Sequence, residues 1–256
     1  MKKEIDRNNR PKVSVITVVY NDAEGLARTI QSVKNQTYRN IEHIVIDGGS
    51  SDGTVPLIRE NEADIEYWVS EPDNGIYDAM NKGLEAAKGD FVWFMNAGDL
   101  IYDQDTTEKV FPGDEQIADI YYGDTIIVDE QYMEVGLRRL RPPDELNWKS
   151  FRRGMLVCHQ AILVKKDIAE KYDPRYSHSA DFDWVIKVLK KADRIKNTRL
   201  LLARFLDGGH SKKNIRPSLG ERFRSMKEHY GLVTALISHI PIPFRFLLFY
   251  LKEGRF

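Results

Sequence analysis

The chain is poor in cysteine, in long apolar runs and in the short motifs that mark the commonest nucleotide chemistries. Its one cysteine, Cys158, excludes an internal disulfide framework and suits a reducing compartment. No run reaches the roughly 18 to 20 apolar residues a spanning helix needs. The opening MKKEIDRNNRPK is charged with no apolar stretch behind it, so no secretory signal is expected. There is no Walker loop and no G-x-G-x-x-G, which counts against P-loop NTPases and Rossmann dehydrogenases. Adjacent Cys158 and His159 lack the spacing of a zinc site. No internal repeat or low-complexity tract is present.

What remains is 256 residues of ordinary globular composition, 42% apolar and 30% charged, enough for one large domain or two small ones. The formal net charge of -1 hides an asymmetry. Met1 to Trp184 carries 22 Lys+Arg against 34 Asp+Glu, whereas Val185 to Phe256 carries 16 against 5. A basic C-terminal quarter on an acidic body suits an anionic partner surface, phospholipid or nucleic acid; a solvated helical face is the alternative.

The first half alternates strand and helix signals. VSVITVV at 13–19 is a continuous β-branched run, as in a strand covered on both faces, and Leu26, Ile30 and Val33 then repeat at helical spacing. Residues 41–47, 65–70 and 90–95 read as further strands, 54–61 as a short helix, and Ile76, Met80, Leu84 and Ala87 as one helix face. That alternation predicts an α/β layer with a mostly parallel sheet, whose ligand crevice lies at the carboxyl ends of the strands. The polar clusters Tyr20-Asn21-Asp22, Asp47-Gly48-Gly49-Ser50 and Asn96-Ala97-Gly98-Asp99 all fall at such ends. Beyond residue 118 the expectations are two short β runs within 118–129, a strand through a tight bend at 154–165, a helix over 181–191, a strand over 200–206 and a helix over 221–230.

Each motif taken alone has a plain structural explanation. The glycine-rich turn after Asp47 serves equally as a capped turn or as a cradle beside a phosphate. Asp99 is placed either for an Asx-turn or for a hard divalent cation completed by waters and phosphates. Asp181 and Asp183 open a helix, where one of them suffices as N-cap; two residues apart, they point to different faces. His159 and His210 are lone histidines, the kind most often hydrogen-bonded rather than ligating.

Taken together and in order, VSVITVVYND, DGGSSDGT, EPDNGIYDAMNKG, FVWFMNAGD, CHQAILV and SADFDW resemble the inverting family 2 glycosyltransferases. The resemblance implies a GT-A-like three-layer α/β sandwich over residues 11–211, with a basic, aromatic helical region at 212–256. It implies donor binding by Thr17, Val18, Tyr20, Asp47, Asp78, Asn81, Asn96, Ala97 and Gly98. Asp99 would be the carboxylate that binds Mn2+ or Mg2+, with His210 as a second metal ligand. Asp181 would be the catalytic base and Asp183 the rival for that role. Two departures from the family pattern stand out: Asn96 replaces the first acid of the D-x-D motif, and Ala180 replaces the Glu that commonly precedes the base.

The implied reaction moves a sugar from a nucleotide-diphosphate donor, a UDP-sugar first, to a hydroxyl of a glycan or polyprenyl-diphosphate-linked sugar. The subgroup with GIYDAMNKG and NAGD resembles bacterial enzymes of capsule, exopolysaccharide or O-antigen assembly. One displacement with one base separates it from glycosidases, which flank the bond with two carboxyl groups. IPIPFRFLLFYL at 240–251, among basic residues, suits a lipid interface. The resulting expectation is a cytoplasmic protein, peripheral on the inner face of the membrane. A helix folded back on the core or buried in a homodimer is the alternative for that tail. No nucleic acid partner is expected. The competing functions are a sugar-phosphate nucleotidyltransferase, whose glycine- and arginine-rich first loop is replaced here by Tyr20-Asn21-Asp22-Ala23, and a non-catalytic nucleotide-sugar or nucleic-acid binding module.

Overall fold

The computed structural model describes residues 10–113, 117–207 and 215–240. Strand β1 (Val13–Val19) is buried along its whole length and pairs in parallel with β2 (Ile41–Asp47) on one side and β4 (Phe91–Phe94) on the other. β3 (Tyr67–Ser70) extends this parallel set beyond β2. Helices α1 (Ala23–Lys34) and α2 (Thr54–Glu60) cover one face, and α3 (Ile76–Ala86) covers the other. A strand so enclosed has no solvent face, which is why its sequence is an unbroken apolar run. α1 begins where Asp22 accepts the Gly25 N–H at 2.9 Å, and it buries Leu26, Ile30 and Val33. α3 lies so close to β1 that a Cβ on Gly83 would sit 2.3 Å from Ile16 Cγ2.

The parallel run ends at β4. There β8 (Ile162–Lys165) enters antiparallel, followed by β6 (Ile120–Val128), β9 (Ile195–Leu206) and the two-residue β5 (Leu100–Ile101), which the short helix α4 (Thr106–Val110) follows in the chain. β6 and β9 are parallel, β5 meets β9 antiparallel, and β7 (Glu134–Leu137) pairs with the far half of β6. The sheet is therefore mixed, parallel in the half that begins the chain.

Three elements of the second half differ from expectation. The pair of short runs within 118–129 is one nine-residue strand, β6, carried through an irregularity at Tyr122–Thr125. Gly123 makes that passage: a Cβ there would meet the Leu200 carbonyl oxygen at 2.5 Å, so the glycine marks a bulge rather than a strand end. β9 begins at Ile195 rather than near Leu200, its polar first residues being recruited by pairing with β6. The segment 154–165 contributes a strand only from Ile162, preceded by a 3-10 turn at His159–Ala161.

α5 (Ala180–Lys191) joins the α3 face, where Phe94 meets the Trp184 and Tyr172 rings edge-on at 5.6 and 5.3 Å. α6 (Ile215–Tyr230) packs on α5, and α7 (Leu232–His239) follows it. The Glu221 carboxylate accepts three backbone N–H groups before α5, those of Ser177, His178 and Ser179, at 2.8–2.9 Å. Tyr230 stacks on Trp148 with 5.3 Å between centroids. α6 is thus tied into the body; the apolar stretch of the tail beyond Ile240 lies outside the described residues.

Candidate active site

The carboxyl ends of β1, β2 and β4 form one rim. At β1, buried Thr17 is hydrogen-bonded to His43 Nε2 at 2.9 Å, the Val18 carbonyl accepts the Ala97 N–H at 3.1 Å, and Tyr20 projects with 66% of its surface exposed. At β2, the buried Asp47 carboxylate accepts from the Ser50 N–H at 3.0 Å, from the Ser50 hydroxyl, and from the Ser70 hydroxyl at 2.5 Å. Those bonds tie the glycine turn to β3 and fix its shape.

At β4 the chain turns through Asn96-Ala97-Gly98-Asp99. Gly98 adopts φ 90°, in the left-handed region, and lies between Leu206, the Tyr132 hydroxyl and Asp22. Thr29 on α1 fastens the turn, accepting the Gly98 N–H at 3.1 Å and donating to the Asp99 carbonyl at 2.8 Å. The Asp99 side chain is buried: Oδ2 accepts from Gln160 Nε2 at 2.6 Å and Oδ1 from the Leu206 N–H at 3.1 Å. Burial pushes its carboxyl up to about 7, against the two hydrogen bonds, which favour the charged form. Asn96 Oδ1, by contrast, is buried without a hydrogen-bond partner.

This set bears on a divalent cation. Hard cations take oxygen ligands, and Mg2+ in particular keeps waters and phosphates beside one or two protein oxygens. Among the described residues no group of three or more His, Cys, Asp or Glu converges. The rim would fit a cation whose ligands come mainly from phosphate and water, with the unpartnered Asn96 Oδ1 as a candidate protein oxygen. Asp99 would join such a set only by releasing one of its two protein donors. His210 lies outside the described residues.

Helix α3 brings Asp78 and Asn81. Asp78 Oδ2 accepts the Asn74 N–H at 3.0 Å and shapes the turn before the helix. Asn81 clasps the Tyr172 backbone with both ends of its amide, at 3.0 Å to the carbonyl and 2.7 Å from the N–H. Both residues spend these atoms within the chain.

Helix α5 separates its two aspartates. Asp183 is buried to 1% side-chain exposure, paired with Lys187 at 2.7 Å and His229 at 2.8 Å, and bonded by the Ser225 hydroxyl at 3.1 Å. Burial alone would raise its carboxyl, but His229 and Lys187 outweigh that and hold it below the ordinary range. Asp181 turns to the other side with 17% of its side chain exposed. Its Oδ1 accepts from the Tyr77 hydroxyl at 3.2 Å, and His159 Nδ1 stands 4.0 Å from its Oδ2. Burial, then the Asp181 charge, hold Tyr77 well above the ordinary phenol range, so it stays a donor.

The rim 96–99 and Asp181 are linked through adjacent residues of the 159–161 turn, one facing each carboxylate. Reading the sequence singled out neither Tyr77 nor the roles of His159 and Gln160. The only signal was that both motifs, GIYDAMNKG and CHQAILV, belong to the resemblance.

A mixed three-layer sheet with its polar rim at the parallel strand ends is the GT-A glycosyltransferase architecture. S. aureus TarS in complex with UDP-GlcNAc superposes with TM-score 0.68 at 17% identity, over 94% of this chain and 76% of that one. The Pyrobaculum calidifontis mannosyltransferase PcManGT, in complex with GDP-Man and Mn2+, gives TM-score 0.61 at 17% identity, over 100% and 80%.

Sequence carries the assignment further. Residues 14–172 match the model of glycosyl transferase family 2, and the chain belongs to that family. An uncharacterized glycosyltransferase of Mycobacterium tuberculosis is 37% identical over 186 residues, 69% of this chain and 68% of that one. A PGL/p-HBAD biosynthesis glycosyltransferase of Mycobacterium bovis is 31% identical over 185 residues, 69% of each chain.

Proposed function

We propose that this glycosyltransferase transfers a sugar, with inversion, from a UDP-sugar to a hydroxyl of a glycan or lipid-linked sugar acceptor, with Asp181 as the base. The observation that carries the reading is the contrast within α5. Asp181 is open between a phenol and an imidazole, while Asp183 is enclosed by Lys187, His229 and Ser225. Asp181 takes the acceptor hydroxyl's proton as that oxygen attacks the anomeric carbon from the face opposite the nucleotide. Tyr77 holds one oxygen of the carboxylate so that the other faces the acceptor.

The donor side comprises Thr17, Val18, Tyr20, Asp47, Asp78, Asn81 and Asn96–Gly98. Within it, the exposed ring of Tyr20 offers a stacking face for a base, and Asn96 Oδ1 is a buried oxygen without a partner in the chain. Asp47, Asp78 and Asn81 shape the cradle by holding backbone and turns. Mn2+ or Mg2+ is the cofactor of this reading, held by Asn96 and, after release of a donor, Asp99, with His210 as a further candidate ligand. When bound, such a cation offsets the negative charge that grows on the leaving diphosphate.

The test is a thermal-shift screen of UDP- and GDP-sugars with Mn2+, followed by a transfer assay on the sugar that stabilises the chain. A UDP-sugar should raise the melting temperature, and a chelator should reduce that rise. Stabilisation by GDP-sugars alone discards the UDP reading. Stabilisation by no nucleotide sugar discards the donor site.

The C-terminal region belongs to the same reading as a membrane-facing element serving a polyprenyl-diphosphate-linked acceptor of capsule, exopolysaccharide or O-antigen assembly. No helix among the described residues is long and apolar enough to cross a membrane. Leu232, Val233, Leu236, Ile237 and Ile240 nonetheless expose apolar side chains on and just after α7, leading into the aromatic stretch that ends the sequence. With the positive charge of the last quarter, that face suits an anionic lipid surface on the cytoplasmic side. Flotation with anionic vesicles should weaken in a chain ending at Ile240 and weaken further with Val233→Glu and Ile237→Glu. Equal flotation by all three ends the membrane reading.

A further inference from the structure

The 3-10 turn at His159–Ala161 is pinned on three sides through Gln160. Its carbonyl accepts Trp93 Nε1–H at 2.7 Å, its side-chain oxygen accepts the Cys158 thiol at 2.6 Å, and its amide donates to Asp99 at 2.6 Å. The backbone of His159 is therefore fixed, and its ring lies against Phe94 with 6.1 Å between centroids. The two ring nitrogens meet unlike surroundings. Nδ1 stands 4.0 Å from Asp181 Oδ2, whereas Nε2 is buried with no hydrogen-bond partner. A neutral imidazole carries one N–H and one lone pair, and the proton belongs on the nitrogen that faces a carboxylate.

Resting on the assignment of Asp181 as base, we propose that His159 is a positioning residue for it. The imidazole presents Nδ1–H to Asp181 Oδ2 while Tyr77 holds Oδ1, and the pair set the plane in which the carboxylate meets the acceptor hydroxyl. At 4.0 Å the two atoms stand beyond hydrogen-bond range, so the proposal requires them to approach to about 3 Å when an acceptor binds. Burial keeps the ring neutral, outweighing the opposing pull of the Asp181 charge, and Arg138 acts in the same direction as burial. Neutrality serves the reaction, because an imidazolium would hold Asp181 as an ion pair and weaken it as a base.

Two measurements on the full chain test this, one of which needs no turnover. Long-range ¹H–¹⁵N correlation of the histidine rings should show His159 as the neutral Nδ1–H tautomer, with that preference lost in Asp181→Ala. A dominant Nε2–H tautomer, or one indifferent to Asp181→Ala, overturns the proposal. The second measurement is UDP release from UDP-GlcNAc with Mn2+. His159→Phe should lower kcat about 10- to 100-fold with donor KM within about twofold, and His159→Gln, which keeps an N–H donor, should recover part of the loss. A kcat unchanged in His159→Phe overturns the proposal, as does an equal loss in both variants. If Asp181→Asn proves harmless while the tautomer stands, the base assignment falls and the pairing of the two side chains survives.

Discussion

The cradle around the strand ends and the start of α5 use most of their polar residues in opposite ways. In the cradle, Asp47 is bound by Ser50 and Ser70, Asn81 by the Tyr172 backbone, and Asp99 by Gln160 and Leu206, with Asn96 Oδ1 as the exception. Beside α5, Asp181 stays partly open and His159 keeps an unpaired nitrogen. Saturated hydrogen bonds build shape, because a buried polar group with all its partners resists displacement. Unsaturated ones keep free energy in reserve for a substrate. The contrast recurs within one turn of α5, where Asp183 is enclosed by Lys187, His229 and Ser225 and Asp181 is not.

That contrast can be broken by mutation. The largest effect is expected at Asp183: Asp183→Ala leaves Lys187 and His229 without their buried partner and should cost about 3–5 kcal/mol in urea unfolding. A cost near zero would erase the distinction between the two aspartates. Asp181→Asn should leave the urea midpoint in place yet lower transfer about 10²-fold, close to 3 kcal/mol in activation free energy. Near-normal transfer in that variant would move the base elsewhere.

A buried residue of the cradle should reveal itself through pH. Burial pushes the His43 imidazole down to about 4, while the unfolded chain takes up its proton in the ordinary histidine range. The folded form gains from this depressed value above that range and loses the gain as pH falls. Between pH 7 and pH 5 wild type should therefore lose about 2 kcal/mol more than His43→Gln in paired urea titrations. Parallel behaviour of the two proteins would mean that His43 is charged in the fold. The smallest effect belongs to Asn81→Ala, which removes two bonds to Tyr172 and should cost about 1–2 kcal/mol in stability. A raised donor KM with stability intact would instead make Asn81 a donor contact.

The first half of the chain was legible because each strand there is enclosed on both faces and each helix carries an apolar stripe. Position along a parallel strand then fixes which residues reach the rim, so the clusters after residues 19, 46 and 95 could be located in advance. The second half obeys no such period. β6 reads as two pieces because Gly123 interrupts its apolar pattern, and only the neighbouring Leu200 carbonyl shows the glycine to be a bulge. The polar start of β9 has no strand signature of its own and becomes one by pairing.

Sequence by itself determined the α/β class, the family and the short list of acidic residues, since these depend on local pattern and on motif order. Helical spacing also required Asp181 and Asp183 to diverge. Which of them is free was decided only in three dimensions, by α6, which returns some 40 residues later to present Ser225 and His229 to one of them. The meeting of His159 with Asp181, and of Gln160 with Asp99, has the same origin. Contacts between elements far apart in the chain leave no periodic trace, because they depend on where the sheet and its returning helices place each end.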